Sequence, residues 1–124
     1  MLLSGIDLEE NDRIARSMQR PRFCRTILGA AEYRLLAERG FPVQSVAASF
    51  CAKEAFGKAL GTGVRGFSLR EVELLRAPGG APYLQLSGRA RIAAAGVRFT
   101  VSVTHTRQYT SVIVIGERPD GEQR

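Results

Sequence analysis

Between Gly40-Phe41-Pro42 and Gly61-Thr62-Gly63 runs Val43–Leu60, the longest and most apolar helical segment of the chain. Past Val46 its only charges are Lys53, Glu54 and Lys58, and the other positions are mostly apolar or small. Such a helix expects packing along most of its surface. A chain of 124 residues fits one domain and can build a core around it, though a marginal one unless covered or oligomeric.

The rest of the pattern supplies that core. A short strand is expected over residues 1–7, then helices over Glu9–Gln19, Arg22–Leu28 and Ala30–Arg39, with Pro21 and Gly29 as breaks. After the long helix come a strand near Ser68–Arg76, a turn at Pro78-Gly79-Gly80-Ala81 and a strand Tyr83–Ser87. A short helix (Arg89–Ala95) and two strands, Val97–Thr104 and Tyr109–Ile115, finish the chain. The reading is a single α+β domain over 1–116, with early helices and a late antiparallel sheet, and a flexible tail over 117–124.

Composition excludes several classes. No apolar run has the ~18 residues of a spanning helix. The opening MLLSGIDLEE has no basic start and meets acid at Asp7, which is not a signal peptide pattern. Cys24 and Cys51 give neither a disulfide framework nor metal-knuckle spacing, so the expected address is the cytoplasm, with no membrane contact. The net charge of +6 suggests a polyanionic partner. Nucleic acid rests on charge alone, without stacking aromatics or a recognition helix, and is not expected.

Glu54 is the feature that asks for chemistry. On a helical wheel Val43, Ala47, Phe50 and Glu54 share a face, with Lys58 one turn on. Three readings stand open: an i,i+4 pair with Lys58, a hard-cation site completed by a second carboxylate, or an acid–base site with Lys58 as proton donor. Lys53 and Lys58 are the chain's two lysines, while arginine supplies its other cations. Lysine can surrender a proton near neutral pH and arginine cannot. The Gly61-Thr62-Gly63 stretch after the helix is either a plain stop or an anion-binding nest of N–H groups.

Three segments taken together resemble the holo-acyl-carrier-protein synthases, the small bacterial phosphopantetheinyl transferases. They are Gly5-Ile6-Asp7, the run from Phe50 through Lys53-Glu54-Ala55 and Lys58 to Gly61-Thr62-Gly63, and Val101-Ser102-Val103-Thr104-His105. The resemblance implies an enzyme of fatty acid biosynthesis, and so of lipid metabolism. It would transfer 4'-phosphopantetheine from coenzyme A to a serine of apo acyl carrier protein, releasing adenosine 3',5'-bisphosphate. It further implies Mg²⁺ held by Asp7 and Glu54, with Glu54 or a metal-held water taking the serine proton. Lys58 would stabilise the departing phosphate, and Phe50, Gly61, Thr62, Gly63, Thr104 and His105 would contact coenzyme A. Pro82 and Tyr83 would approach the adenine from a neighbouring subunit of a homotrimer with interfacial sites. Arg13, Arg16, Met18, Arg20, Arg22, Phe23 and Arg25 would dock the acidic carrier. Ser49 stands where the family carries arginine, and the stretch Glu9, Glu10, Asp12 is unusually acidic for it. The competing reading is a coenzyme A- or carrier-binding protein without turnover.

Overall fold

The long helix α4 (Val43–Leu60) is covered on several sides, as its composition requires. One face, through Ala48, Cys51, Ala52, Ala55 and Ala59, lies on a sheet that contributes Val112 and Val114, with Leu3, Phe99, Val101 and Val103 beside them. Another, through Val46 and Ala47, meets the helical layer at Ile14, Ile27, Leu28 and Leu36. At its far end Phe56 packs with Phe67, Val72, Ala90 and Ala94. Small side chains let the sheet approach closely, and the branched residues opposite fill the gap.

The computed structural model describes residues 1–119. Before α4 come β1 (Leu2–Glu10), α1 (Asn11–Met18), α2 (Phe23–Ile27) and α3 (Ala30–Glu38). After it come a 3₁₀ turn (Leu69–Glu71), β2 (Val72–Arg76), β3 (Pro82–Leu86), α5 (Gly88–Ala93), β4 (Arg98–His105) and β5 (Tyr109–Glu117). The mixed α+β expectation is met. The strands, however, form two antiparallel sheets, β1-β5-β4 and β2-β3, and the first strand of the chain joins the last two.

Three boundaries moved for physical reasons. β1 continues through Glu10, because Leu8, Glu9 and Glu10 keep pairing with Ser111, Thr110 and Tyr109, so the helix expected from Glu9 starts at Asn11. The strand expected from Ser68 starts at Val72; Ser68 instead caps a 3₁₀ turn, exchanging bonds with Arg70 and Glu71. Glu117 closes β5 opposite Leu2 and Arg98, and the Arg118 N–H bonds the Met1 carbonyl at 2.9 Å. The remainder of the expected tail, 120–124, lies outside the described residues.

The alternation of β1 decides the site. Leu3, Gly5, Asp7 and Glu9 occupy the less exposed side of the strand, while Leu2, Ser4, Ile6 and Leu8 are exposed. Gly5 is fixed by contact: a Cβ there would lie 2.0 Å from the Ala55 carbonyl oxygen and 2.6 Å from the Ala59 nitrogen. Backbone therefore meets backbone between β1 and α4, and Asp7 is carried to the helix at the level of Glu54 and Lys58.

Candidate active site

The carboxylate of Asp7 is nine-tenths buried. Lys58 Nζ lies 3.2 Å from Oδ1 and donates to the Ile6 carbonyl at 3.0 Å, with the lysine side chain half exposed. Oδ2 is buried without a hydrogen-bond partner among the described residues. Glu54 projects one turn before Lys58; burial, then Asp7, raises its pKa, while Lys58 lowers it. The expected Glu54–Lys58 pairing is thus an electrostatic neighbourhood, and the direct bond goes to Asp7.

Glu9 is a site residue that the sequence reading passed over. Burial first, then the closeness and repulsion of the Asp7 carboxylate, push the Glu9 pKa up to about 7, with Arg13 pulling the other way and Glu54 adding repulsion. The signal was available in the alternation Leu3, Gly5, Asp7, Glu9, but it was cut by starting the helix at Glu9. Three mutually repelling carboxylates and one partnerless buried oxygen form a surrounding that favours a cation. Among the described residues no three His, Cys, Asp or Glu side chains close a complete metal cage. That donor set fits Mg²⁺, which keeps waters and takes one or two carboxylates plus substrate phosphate.

A groove of about 410 Å³ connects this cluster to the helical surface; Glu9, Glu54, Phe50, Arg13, Arg20 and Phe23 are among its lining residues. Four of the expected contacts, Phe50, Arg13, Arg20 and Phe23, therefore meet Glu54 in one space. Arg16, Arg22 and Arg25 are exposed outside it and Met18 is half-buried. Arg22 shares an adjoining surface depression with Arg20 and Phe23, and Arg25 lies over the Tyr33 ring at 4.7 Å.

Other expected residues are placed differently. The N–H groups of Gly61-Thr62-Gly63, the donors a nest would need, are engaged by the end of the helix. Gly61 N–H bonds Lys58 O at 3.0 Å, and the N–H groups of Thr62 and Gly63 both bond Gly57 O, at 3.1 and 3.0 Å. The helix end uses all three groups, because a terminating helix must satisfy its carbonyls. Gly57 permits the fold-back, since a Cβ there would lie 2.4 Å from the Gly63 carbonyl oxygen. Thr104 and His105 are exposed on successive positions of β4 and so face opposite sides of the sheet. Pro82 and Tyr83 lie on β3 of the second sheet, outside the carboxylate groove. Ser49 is buried and lines a separate cavity with Leu35, Leu74, Arg39 and Arg76.

Lys53 points away from the site. Its ammonium donates to Glu32 Oε1 at 2.7 Å, to Oε2 at 2.9 Å and to the Val72 carbonyl, fully buried. Of the two lysines, only Lys58 is on the carboxylate side.

The model of the 4'-phosphopantetheinyl transferase superfamily matches residues 4–111. The chain belongs to this superfamily, among its holo-acyl-carrier-protein synthases. It is 42% identical over 123 residues to the holo-acyl-carrier-protein synthase of Koribacter versatilis, covering 94% of this chain and 98% of that one. Among solved structures, the Neisseria meningitidis holo-acyl-carrier-protein synthase superposes with a TM-score of 0.84 at 30% identity, over 93% of this chain and 97% of that one. The Bacillus anthracis synthase, solved in complex with CoA (3',5'-ADP), gives a TM-score of 0.80 at 27% identity, over 94% and 96%. The chain is thus an enzyme of the phosphopantetheinyl transferase class, and among the described residues no helix is long and apolar enough to cross a membrane.

Proposed function

We propose that this synthase transfers 4'-phosphopantetheine from coenzyme A to a serine of apo acyl carrier protein in a Mg²⁺-dependent reaction that releases adenosine 3',5'-bisphosphate. The observation that carries the reading is the meeting of Asp7 and Glu54 beside Lys58, with Asp7 Oδ2 buried and partnerless. Asp7 and Glu54 would hold the ion, which supplies charge neutralisation and orientation of the pyrophosphate. Glu54, its pKa already raised by burial and by Asp7, accepts the serine proton directly or through a water. The serine oxygen bonds the phosphorus carrying pantetheine while the bond from that phosphorus to the oxygen of the nucleotide's 5'-phosphate breaks. Lys58, half exposed and held by Asp7 and the Ile6 carbonyl, offsets the charge gathering on the leaving phosphate.

The groove from the carboxylates to Arg13, Arg20 and Phe23 suits a pantetheine arm delivered to an acidic carrier docked on α1 and α2. A homotrimer with interfacial sites is supported by the outer face of the first sheet. Leu2, Ile6 and Leu8 are exposed there at 73%, 59% and 61%, and Ile113, opposite Ile6, is exposed too. We place the reaction in the cytoplasm, in fatty acid biosynthesis.

The test is the intact mass of an apo acyl carrier protein after incubation with the chain, coenzyme A and Mg²⁺, with an EDTA control. A gain of one phosphopantetheine, lost with EDTA and with Asp7→Ala or Glu54→Gln, is expected. Coenzyme A binding without any mass gain would make this a binding protein instead.

A further inference from the structure

The turn between β4 and β5 is held by a residue outside the family motif. Asn11, the first residue of α1, is 5% exposed, yet it makes no side-chain cap for its own helix. Its amide nitrogen donates to the carbonyls of Arg107 at 3.1 Å and Thr106 at 3.4 Å, and its oxygen accepts from Thr110 Oγ1 at 2.6 Å. Its backbone N–H bonds Gln108 O at 2.8 Å. Thr110 is buried and sits directly across from His105 in the β4–β5 ladder. Gln44 of α4 donates to the Thr106 carbonyl at 3.3 Å, and Cys51 donates to the Thr110 carbonyl at 3.3 Å. Asn11 also stands four positions after Asp7 on the same run of chain, and Ser111 Oγ donates to the Asp7 carbonyl at 2.8 Å.

We infer that Asn11 is a positioning residue: it fixes the turn that follows His105 against the end of the carboxylate strand, and through it sets coenzyme A affinity. The inference rests on the transferase reading and on the coenzyme A contact that the family resemblance implies for His105. A carboxamide suits the task because it can donate twice to carbonyls on one side while accepting from a hydroxyl on the other. An apolar residue would leave the Thr110 hydroxyl and two carbonyls without those partners, and the turn would be tied to the rest of the molecule by the Asn11 backbone bond, Gln44 and Cys51. His105 at the head of that turn would then lose its fixed position, weakening nucleotide binding, while Glu54 and Lys58 would keep their geometry for the chemical step.

The experiment compares the full-length chain with Asn11→Ala, Asn11→Asp, His105→Ala and the Asn11→Ala/His105→Ala double variant. Steady-state transfer gives KM and kcat for coenzyme A, calorimetric titration gives its Kd, and thermal melting confirms folding. Asn11→Ala, which removes all three side-chain bonds, is expected to raise KM and Kd about 10-fold, with kcat within about twofold. In the His105→Ala background the same change should add little, because Asn11 acts through His105. A folded Asn11→Ala with unchanged Kd, a loss confined to kcat, or full additivity with His105→Ala would each overturn the inference. Should Asn11→Ala not fold, the isosteric Asn11→Asp decides, since it keeps the Thr110 bond and loses both donations. A wild-type chain that binds coenzyme A without transferring it would refute the transferase reading, and the Kd comparison would still decide this one.

Discussion

Replacing Lys53 with Met should cost stability and leave the chemistry of each folded molecule alone. The Lys53–Glu32 pair is fully buried, at 0% side-chain exposure on both partners. Glu32 is further bonded by the Gly29 N–H at 3.0 Å and the Leu74 N–H at 2.8 Å, and Glu73 accepts the Glu32 N–H at 2.8 Å. Removing the ammonium leaves one buried carboxylate uncompensated, with a second beside it, which costs about 3–5 kcal/mol. Domains of this size hold about 5–15 kcal/mol, so at least a fifth of the stability is at stake. With a urea m-value of about 2 kcal/mol/M, the midpoint should fall by about 1.5–2.5 M. Adding Glu32→Gln should recover part of that loss, because the charge goes, though one backbone N–H and the Val72 carbonyl then lack good partners. The assay is urea unfolding by circular dichroism for the two single variants and the double. A Lys53→Met midpoint within about 0.5 M of wild type would refute the reasoning, as would strict additivity.

Three further outcomes follow from the site. Lys58→Gln should lower kcat about 10- to 100-fold while the chain still melts cooperatively, since the charge-assisted bond proposed to the leaving phosphate would be lost; single-turnover mass spectrometry reads this. In EDTA, stability should fall as pH rises from about 4.5 to about 7. Glu9 and Glu54 have folded pKa values above their unfolded ones, so between those values the native state binds more protons than the unfolded state. Glu9→Gln should flatten that slope in urea midpoints taken at pH 5 and pH 8. Ile6→Glu, on the exposed face of β1, should shift sedimentation from the proposed trimer towards monomer without loss of helical content.

The central helix and the chemistry of its motif were legible in the chain itself. A segment apolar on most sides dictates that sheet and helices must close around it, and the types of residue at Asp7, Glu54 and Lys58 carry their chemistry wherever they stand. Side-chain period, a local property, also placed most strands and helices. What local pattern could not supply was the direction of each polar group. Lys53 and Lys58 sit five positions apart on one helix, about 140° around it, and only the packing against α3 and β2 on one side and β1 on the other sent one into a buried ion pair and the other to Asp7. Glu9 joined the site because strand pairing with β5 outlasted Asp7 by three residues. The Gly61–Gly63 amides bond the Lys58 and Gly57 carbonyls because the end of α4 needed donors. Sequence assigns donors and charges to positions; the competition among them for partners is settled only when distant segments meet.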